Sequence, residues 1–283
     1  MKVTEQQIEV GMLQWFYREG LPAQEPERPP VVLLHGIPSQ SYSWRDVLPV
    51  LAAQGMRAIA PDWIGSGFSS KPEPREFGGY TPEAYLKAFA DFVDALALER
   101  FSLVVQGFLG SVGLQYALRH RDRIDRIAIF NAPITTAVRL PWQLKQLGLP
   151  FVGDMLTQDP LMIDRTLEGG GFYRVPDEAL DVYRRPYLKT SAVGRALLAT
   201  VRNLQLPTAI AEIETGFQTW KQPILIGWGV EDPWLPVSIA EQFAIAVPQA
   251  EVVKLEQVGH YPQEDWHEKV SQALIPFLRR QSV

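Results

Sequence analysis

The chain of 283 residues has no cysteine. That excludes a disulfide framework, thiolate chemistry and cysteine-ligated metal sites, but it does not identify a compartment. No stretch stays apolar for the ~18 residues that span a bilayer, and Met1 to Gln7 lacks the apolar run of a signal peptide. The expectation is a soluble, cytoplasmic protein without a transmembrane segment. Positive charge is not in excess: 27 Lys and Arg face 32 Asp and Glu, a net charge of −5. No electrostatic footprint for nucleic acid remains. Internal repeats and low-complexity tracts are missing as well. Hydrophobic residues at 46% and charged residues at 21% argue against extended disorder. A last absence is local. Residue 107 is a glycine, at a place where its neighbours frame a reacting side chain.

What is present alternates strand and helix. Ile8 to Arg18 has strand-like spacing and predicts one or two antiparallel leading strands, ended by Gly20 and a Pro-rich loop. Val31 to Leu34 is a continuous apolar run, suited to a parallel strand buried on both faces. Trp44 to Gln54 has helical spacing with Gly55 placed to stop it. Arg57 to Ala60 is a strand. Thr81 as N-cap, Pro82 at the first position and Glu83 in the first turn open a helix. Phe101–Gln106, Ile127–Phe130, Pro223–Gly227 and Glu251–Leu255 supply four more strands. The pattern predicts βαβ units and a largely parallel sheet covered on both faces. Between Pro133 and about Leu206 no strand pattern appears, and amphipathic stretches such as Asp177–Tyr183 and Val193–Val201 predict a helical insertion rather than a loop.

Phe101 to Gln106 leads through Gly107 into a helix near Gly110 and Ser111. A strand, a sharp turn and a helix form the setting of a nucleophile elbow, in which Ser, Cys or Asp is held at the tip. Glycine cannot attack a substrate. Elsewhere the residues are those such a site needs. His35-Gly36-Ile37-Pro38 follows the first buried strand, Asp232 follows a buried strand in Trp228-Gly229-Val230-Glu231-Asp232-Pro233, and His260 follows the last strand. Glu231 is a rival acid one position early. His120 and His267 lie in polar helical contexts and are expected to be solvated. Ser111, one helical turn past the elbow, is expected to pack inside the helix, and Gln106 to point away from the turn.

Together with Pro61 to Ser69, Val104 to Gln106 and Val258 to Asp265, these motifs resemble the α/β-hydrolase superfamily and, within it, the haloalkane dehalogenase and epoxide hydrolase branch. The resemblance covers nearly the whole chain. It implies an α/β fold with a mostly parallel central sheet flanked by helices, divided into a first core part (1–133), a helical cap (134–207) and a second core part (208–283). It also implies that Asp232 and His260 act as orienting acid and base, and that the backbone N–H groups of Ile37 and Phe108 form an oxyanion hole. His35, Tyr42, Trp44 and, in the cap, Tyr187 are the side chains expected against a ligand. The apolar content of the cap, Trp142, Leu147, Phe151, Met155, Leu161, Met162, Phe172 and Tyr173, suggests an apolar cavity over the sheet's carboxyl edge. No metal or organic cofactor is implied.

Members of that branch carry Asp where this chain has Gly107, followed by Trp and two small residues. Here Gly107, Phe108 and Leu109 depart together, with Leu109 where helix and strand approach closely. Uncharacterised α/β-hydrolase-like proteins of cyanobacteria and plant plastids have similar Gln-Gly-Phe-Leu elbows. Strain at an elbow costs of order 1–3 kcal/mol, and glycine relieves it. The first expectation is a catalytically impaired homologue that binds a small apolar molecule or a protein partner in the cleft. The second is an enzyme using His260 and Asp232 as a general base without a covalent nucleophile. The third is a structural interaction or assembly protein.

Overall fold

The computed structural model describes residues 3–280. Strands β1 (Val3–Val10) and β2 (Leu13–Gly20) form a hairpin, and β3 (Val31–Leu34), β4 (Ala58–Pro61), β5 (Phe101–Gln106), β6 (Ile124–Phe130), β7 (Ile224–Gly229) and β8 (Ala250–Leu255) complete one sheet. Its order is β1-β2-β4-β3-β5-β6-β7-β8. β2 alone runs against the others, pairing antiparallel with β1 and β4. Period-two alternation sorts the central strands' side chains onto two faces. Val32, Leu34, Leu103 and Val105 enter one core, and Val31, Leu33 and Val104 the other.

Helices cover both faces. α1 (Val47–Ala53) and the C-terminal α12 (His267–Arg279) bury Leu48, Leu51, Val270 and Leu274 in one core. α2 (Pro82–Ala95), α3 (Gly110–Arg119), α9 (Leu206–Gly216) and α10 (Ser238–Ala246) bury Phe89, Tyr116, Ile213 and Phe243 in the other. Between β6 and α9 run α4 (Trp142–Lys145), α5 (Val152–Leu156), α6 (Leu161–Gly170), α7 (Asp177–Lys189) and α8 (Ala192–Asn203), and α11 (Pro262–Asp265) precedes α12. Among the described residues, no helix is long and apolar enough to cross a membrane.

Local differences from the expected elements have physical causes. Trp44 closes a 3-10 turn from Ser41, and α1 begins only at Val47. This places Pro49 in the first turn of α1, where its missing N–H breaks no bond. Thr81 flanks α2 as expected, but its hydroxyl donates to the Gly78 carbonyl (3.0 Å) and caps no helical N–H. β6 starts three residues early because Asp125 and Arg126 are buried: Arg126 pairs with Asp125 (2.7 Å) and donates to the Phe277 carbonyl.

The close approach of α3 to the sheet falls at Gly110 and Gly113, not at Leu109, which is fully buried without conflict. A Cβ at Gly113 would lie 2.7 Å from Val105 Cγ1 and 2.8 Å from Leu34 Cδ1. Gly113→Ala therefore trades a helix-propensity gain of ~1 kcal/mol against overpacking of ~1–3 kcal/mol. A net loss of stability is expected in urea unfolding, and unchanged stability would show that Val105 and Leu34 yield freely.

Candidate functional site

β5 ends at Gln106, and the chain reverses at Gly107 with φ +71. The Gly107 N–H donates to the Phe130 carbonyl (3.3 Å), and Gly110 N–H donates back to the Gly107 carbonyl (3.0 Å) as α3 begins. The turn faces the carboxyl end of β3. A Cβ at 107 would sit 3.0 Å from Gly36 Cα and 3.5 Å from His260 Nε2. The amides of Ile37 and Phe108 flank this point and donate to no acceptor among the described residues.

His260 lies between β8 and α11, with its own N–H donating to Gly170 at the end of α6 (2.7 Å). Its Nδ1 meets Asp232 Oδ2 at 2.8 Å. Asp232 Oδ1 accepts from the backbone of Trp234 (2.8 Å) and Leu235 (3.0 Å), and Oδ2 accepts from Asn131 Nδ2 (2.8 Å) as well. With Nδ1 donating to the carboxylate, Nε2 is left as the bare nitrogen. It exposes less than 1 Å² and has no partner. The Phe108 ring stacks on the imidazole at 5.3 Å, with Trp234 at 4.7 Å and Tyr261 at 4.9 Å.

The other expected residues divide into two groups. Tyr42 and Tyr187 pack, half-buried, on the apolar cluster that contains Tyr183 and Tyr261. His35 uses both ring nitrogens on backbone: Nδ1 with the Gly36 carbonyl (2.7 Å) and Nε2 with Trp63 N–H (3.1 Å). Trp44 belongs to the core of α1 and α12. Ser111 packs inside as expected, its hydroxyl donating to the Phe108 carbonyl (2.9 Å). Glu231 is exposed, whereas His120 and His267 are half-buried rather than fully solvated. Of the cap's apolar residues, Leu147 and Met162 are buried, while Trp142, Phe151 and Met155 face solvent. The short helices α4 and α5 turn these three outward, so they do not line a cavity.

Three features escape a reading of sequence. Gln106, expected to point away from the turn, instead bonds the residues that face it: Oε1 accepts from Gly36 N–H (3.2 Å) and Nε2 donates to the His260 carbonyl (2.6 Å). Asn131 braces Asp232 while its Oδ1 accepts from Gly229 N–H (2.8 Å). Its polar character just past an apolar strand was the available signal. Arg45 forks onto Glu264 of α11 (2.6 and 3.0 Å), and Tyr183 of α7 donates to the same carboxylate.

Gln106→Leu leaves a buried N–H and a buried carbonyl without partners, each costing ~1–3 kcal/mol. A loss of about 2 kcal/mol or more in urea unfolding is expected; a neutral result would mean that water or Gln263 replaces the amide. Burial also pushes the His35 pKa below its ordinary value. Protons then bind the unfolded chain more readily, so stability is greatest above the unfolded pKa of about 6.5 and falls as pH drops below it. The urea midpoint should decline between pH 7.5 and 5.5, and less steeply in His35→Gln. An identical slope would exclude His35 as the source.

The family described as alpha/beta hydrolase fold matches residues 29–265, and the chain belongs to it. Among curated relatives, a cis-3-alkyl-4-alkyloxetan-2-one decarboxylase of Xanthomonas campestris is 28% identical over 268 residues, 88% of each chain. A haloalkane dehalogenase of Sphingobium indicum is 29% identical, covering 89% of this chain and 88% of its own. The crystal structure of the haloalkane dehalogenase DbeA from Bradyrhizobium elkani superposes with a TM-score of 0.84 over 98% of both chains at 23% identity, a likeness of fold.

Proposed function

We propose that this chain is a dehalogenase-like α/β hydrolase whose nucleophile has been lost at Gly107, and that it binds a small alkyl- or aryl-bearing molecule beside His260 without hydrolysing it through a covalent intermediate. One observation carries this reading. A buried imidazole nitrogen, braced by a carboxylate with further donors of its own, points at 3.5 Å to the place where a side chain on residue 107 would begin. The reading is supported as well by the amides of Ile37 and Phe108, which have no acceptor among the described residues. A glycine elbow like that of cyanobacterial and plastid proteins fits a loss tolerated within a lineage. Relatives named for dialkyl oxetanones and for haloalkanes support a ligand with an alkyl part.

The burial of His260, Phe108 and Leu109 at 0% exposure favours a second reading, in which the cleft is a remnant and the fold serves as an interaction or assembly protein. A general-base enzyme would need room for water at Nε2, and that atom exposes less than 1 Å². Ester turnover lost in His260→Ala and kept in Ser111→Ala would nevertheless establish such an enzyme.

Gly107→Asp tests the first reading. Treated with a reactive alkyl halide or epoxide, the variant should gain a covalent ester on the introduced carboxylate by intact-protein mass spectrometry, while the natural chain gains none. A folded variant that stays unlabelled would remove the basis for placing a lost nucleophile at 107.

A further inference from the structure

Around Gly107 three donors and one acceptor have no partner among the described residues. Two backbone amides, those of Ile37 and Phe108, have no acceptor. The indole N–H of Trp234 is buried without a partner, and so is His260 Nε2, with the two rings 4.7 Å apart. Asp232 cannot serve them, because its oxygens already accept from Trp234 N–H, Leu235 N–H, Asn131 and His260. Buried groups left in this state cost ~1–3 kcal/mol each, and natural proteins seldom keep several together. Three donors and one bare acceptor nitrogen around a residue without a side chain call for a carboxyl group, whose oxygens accept and whose acid proton meets the nitrogen.

Resting on the loss of the nucleophile proposed above, we propose that the ligand is a small carboxylic acid, whose carboxylate fills the space left by the side chain absent at Gly107. One oxygen accepts from the Ile37 and Phe108 amides, and the other faces His260 Nε2. The acid's proton lies between that oxygen and Nε2 in a charge-assisted hydrogen bond; a carboxylate that enters without its proton takes one from water, and no other bond breaks. The apolar remainder of the acid lies among Ile37, Phe108, Trp234 and Tyr261, which surround the imidazole or its loop. The site is closed in this structure, so entry displaces Phe108 or the helices above it, and binding relieves the donors that closure leaves unpaired.

The test uses the full chain with sodium butyrate and benzoate as probes, read by calorimetry and by thermal midpoint. Butyramide, sodium phosphate and sodium chloride at matched ionic strength are the controls. Both carboxylates should bind and raise the midpoint, with the controls at least tenfold weaker. Gly107→Asp, which fills the gap with its own carboxylate, and His260→Phe should each weaken binding at least tenfold; Gly107→Ala, a smaller block, is read in parallel in case either fails to fold. The inference falls if neither carboxylate binds, if butyramide or phosphate binds equally well, or if a folded Gly107→Asp or His260→Phe binds as the natural chain does. Carboxylate-blind natural protein beside an alkylated Gly107→Asp would sink this inference and leave the lost nucleophile standing. Failure of both would remove the lost nucleophile too.

Discussion

The site depends on the contact of two backbones. Gly36, at the end of β3, and Gly107, at the end of β5, approach so closely that a Cβ on Gly107 would sit 3.0 Å from Gly36 Cα, and one on Gly36 would sit 3.0 Å from Gly107 Cα. Only residues without side chains, or with side chains held under strain, let two strand ends converge in this way. The approach lines up the amides of Ile37 and Phe108 and aims the elbow at His260. Gln106 secures it by bonding Gly36 on one side and the His260 carbonyl on the other.

Around that contact the Asp232–His260 pair is over-determined. Asp232 accepts from two backbone amides and from Asn131 in addition to the imidazole. Such bracing is what general-base and covalent chemistry require, and here it stands beside a glycine at 107. The imidazole Nε2 is buried without a partner among the described residues. A protein retains such a group where a ligand meets it or where the surrounding core would collapse without it.

The helices between β6 and α9 are held to the site by polar ties as well as by packing. Asp265 accepts from Phe172 and Tyr173 after α6 and from Gly259 beside His260. Glu264 gathers Arg45 and Tyr183. Gly170 lets α6 end against the rings of Trp234 and Tyr261, where a Cβ would come within 2.7 and 2.8 Å. These bonds link the helices to the His260 loop through α11 and its flanking residues.

Apolar period and glycine placement made the alternating sheet and the turn at 107 legible, because both rest on local rules: buried parallel strands are continuous apolar runs, and tight reversals need glycine. The pairing of Asp232 with His260 was legible only through the resemblance of their motifs to a family. β6 was shortened because Asp125 and Arg126 look like surface charges until they are seen to neutralise each other inside. His35 resembled a ligand-facing side chain because nothing local shows that Trp63 and Gly36 engage both of its nitrogens. The chain alone determined the order of strands and helices and the identity of residue 107. Tertiary structure alone decided which donors face the turn, that Gln106 and Asn131 brace it, and that the cleft is closed, since these depend on groups up to 154 residues apart in sequence meeting at the ends of neighbouring strands.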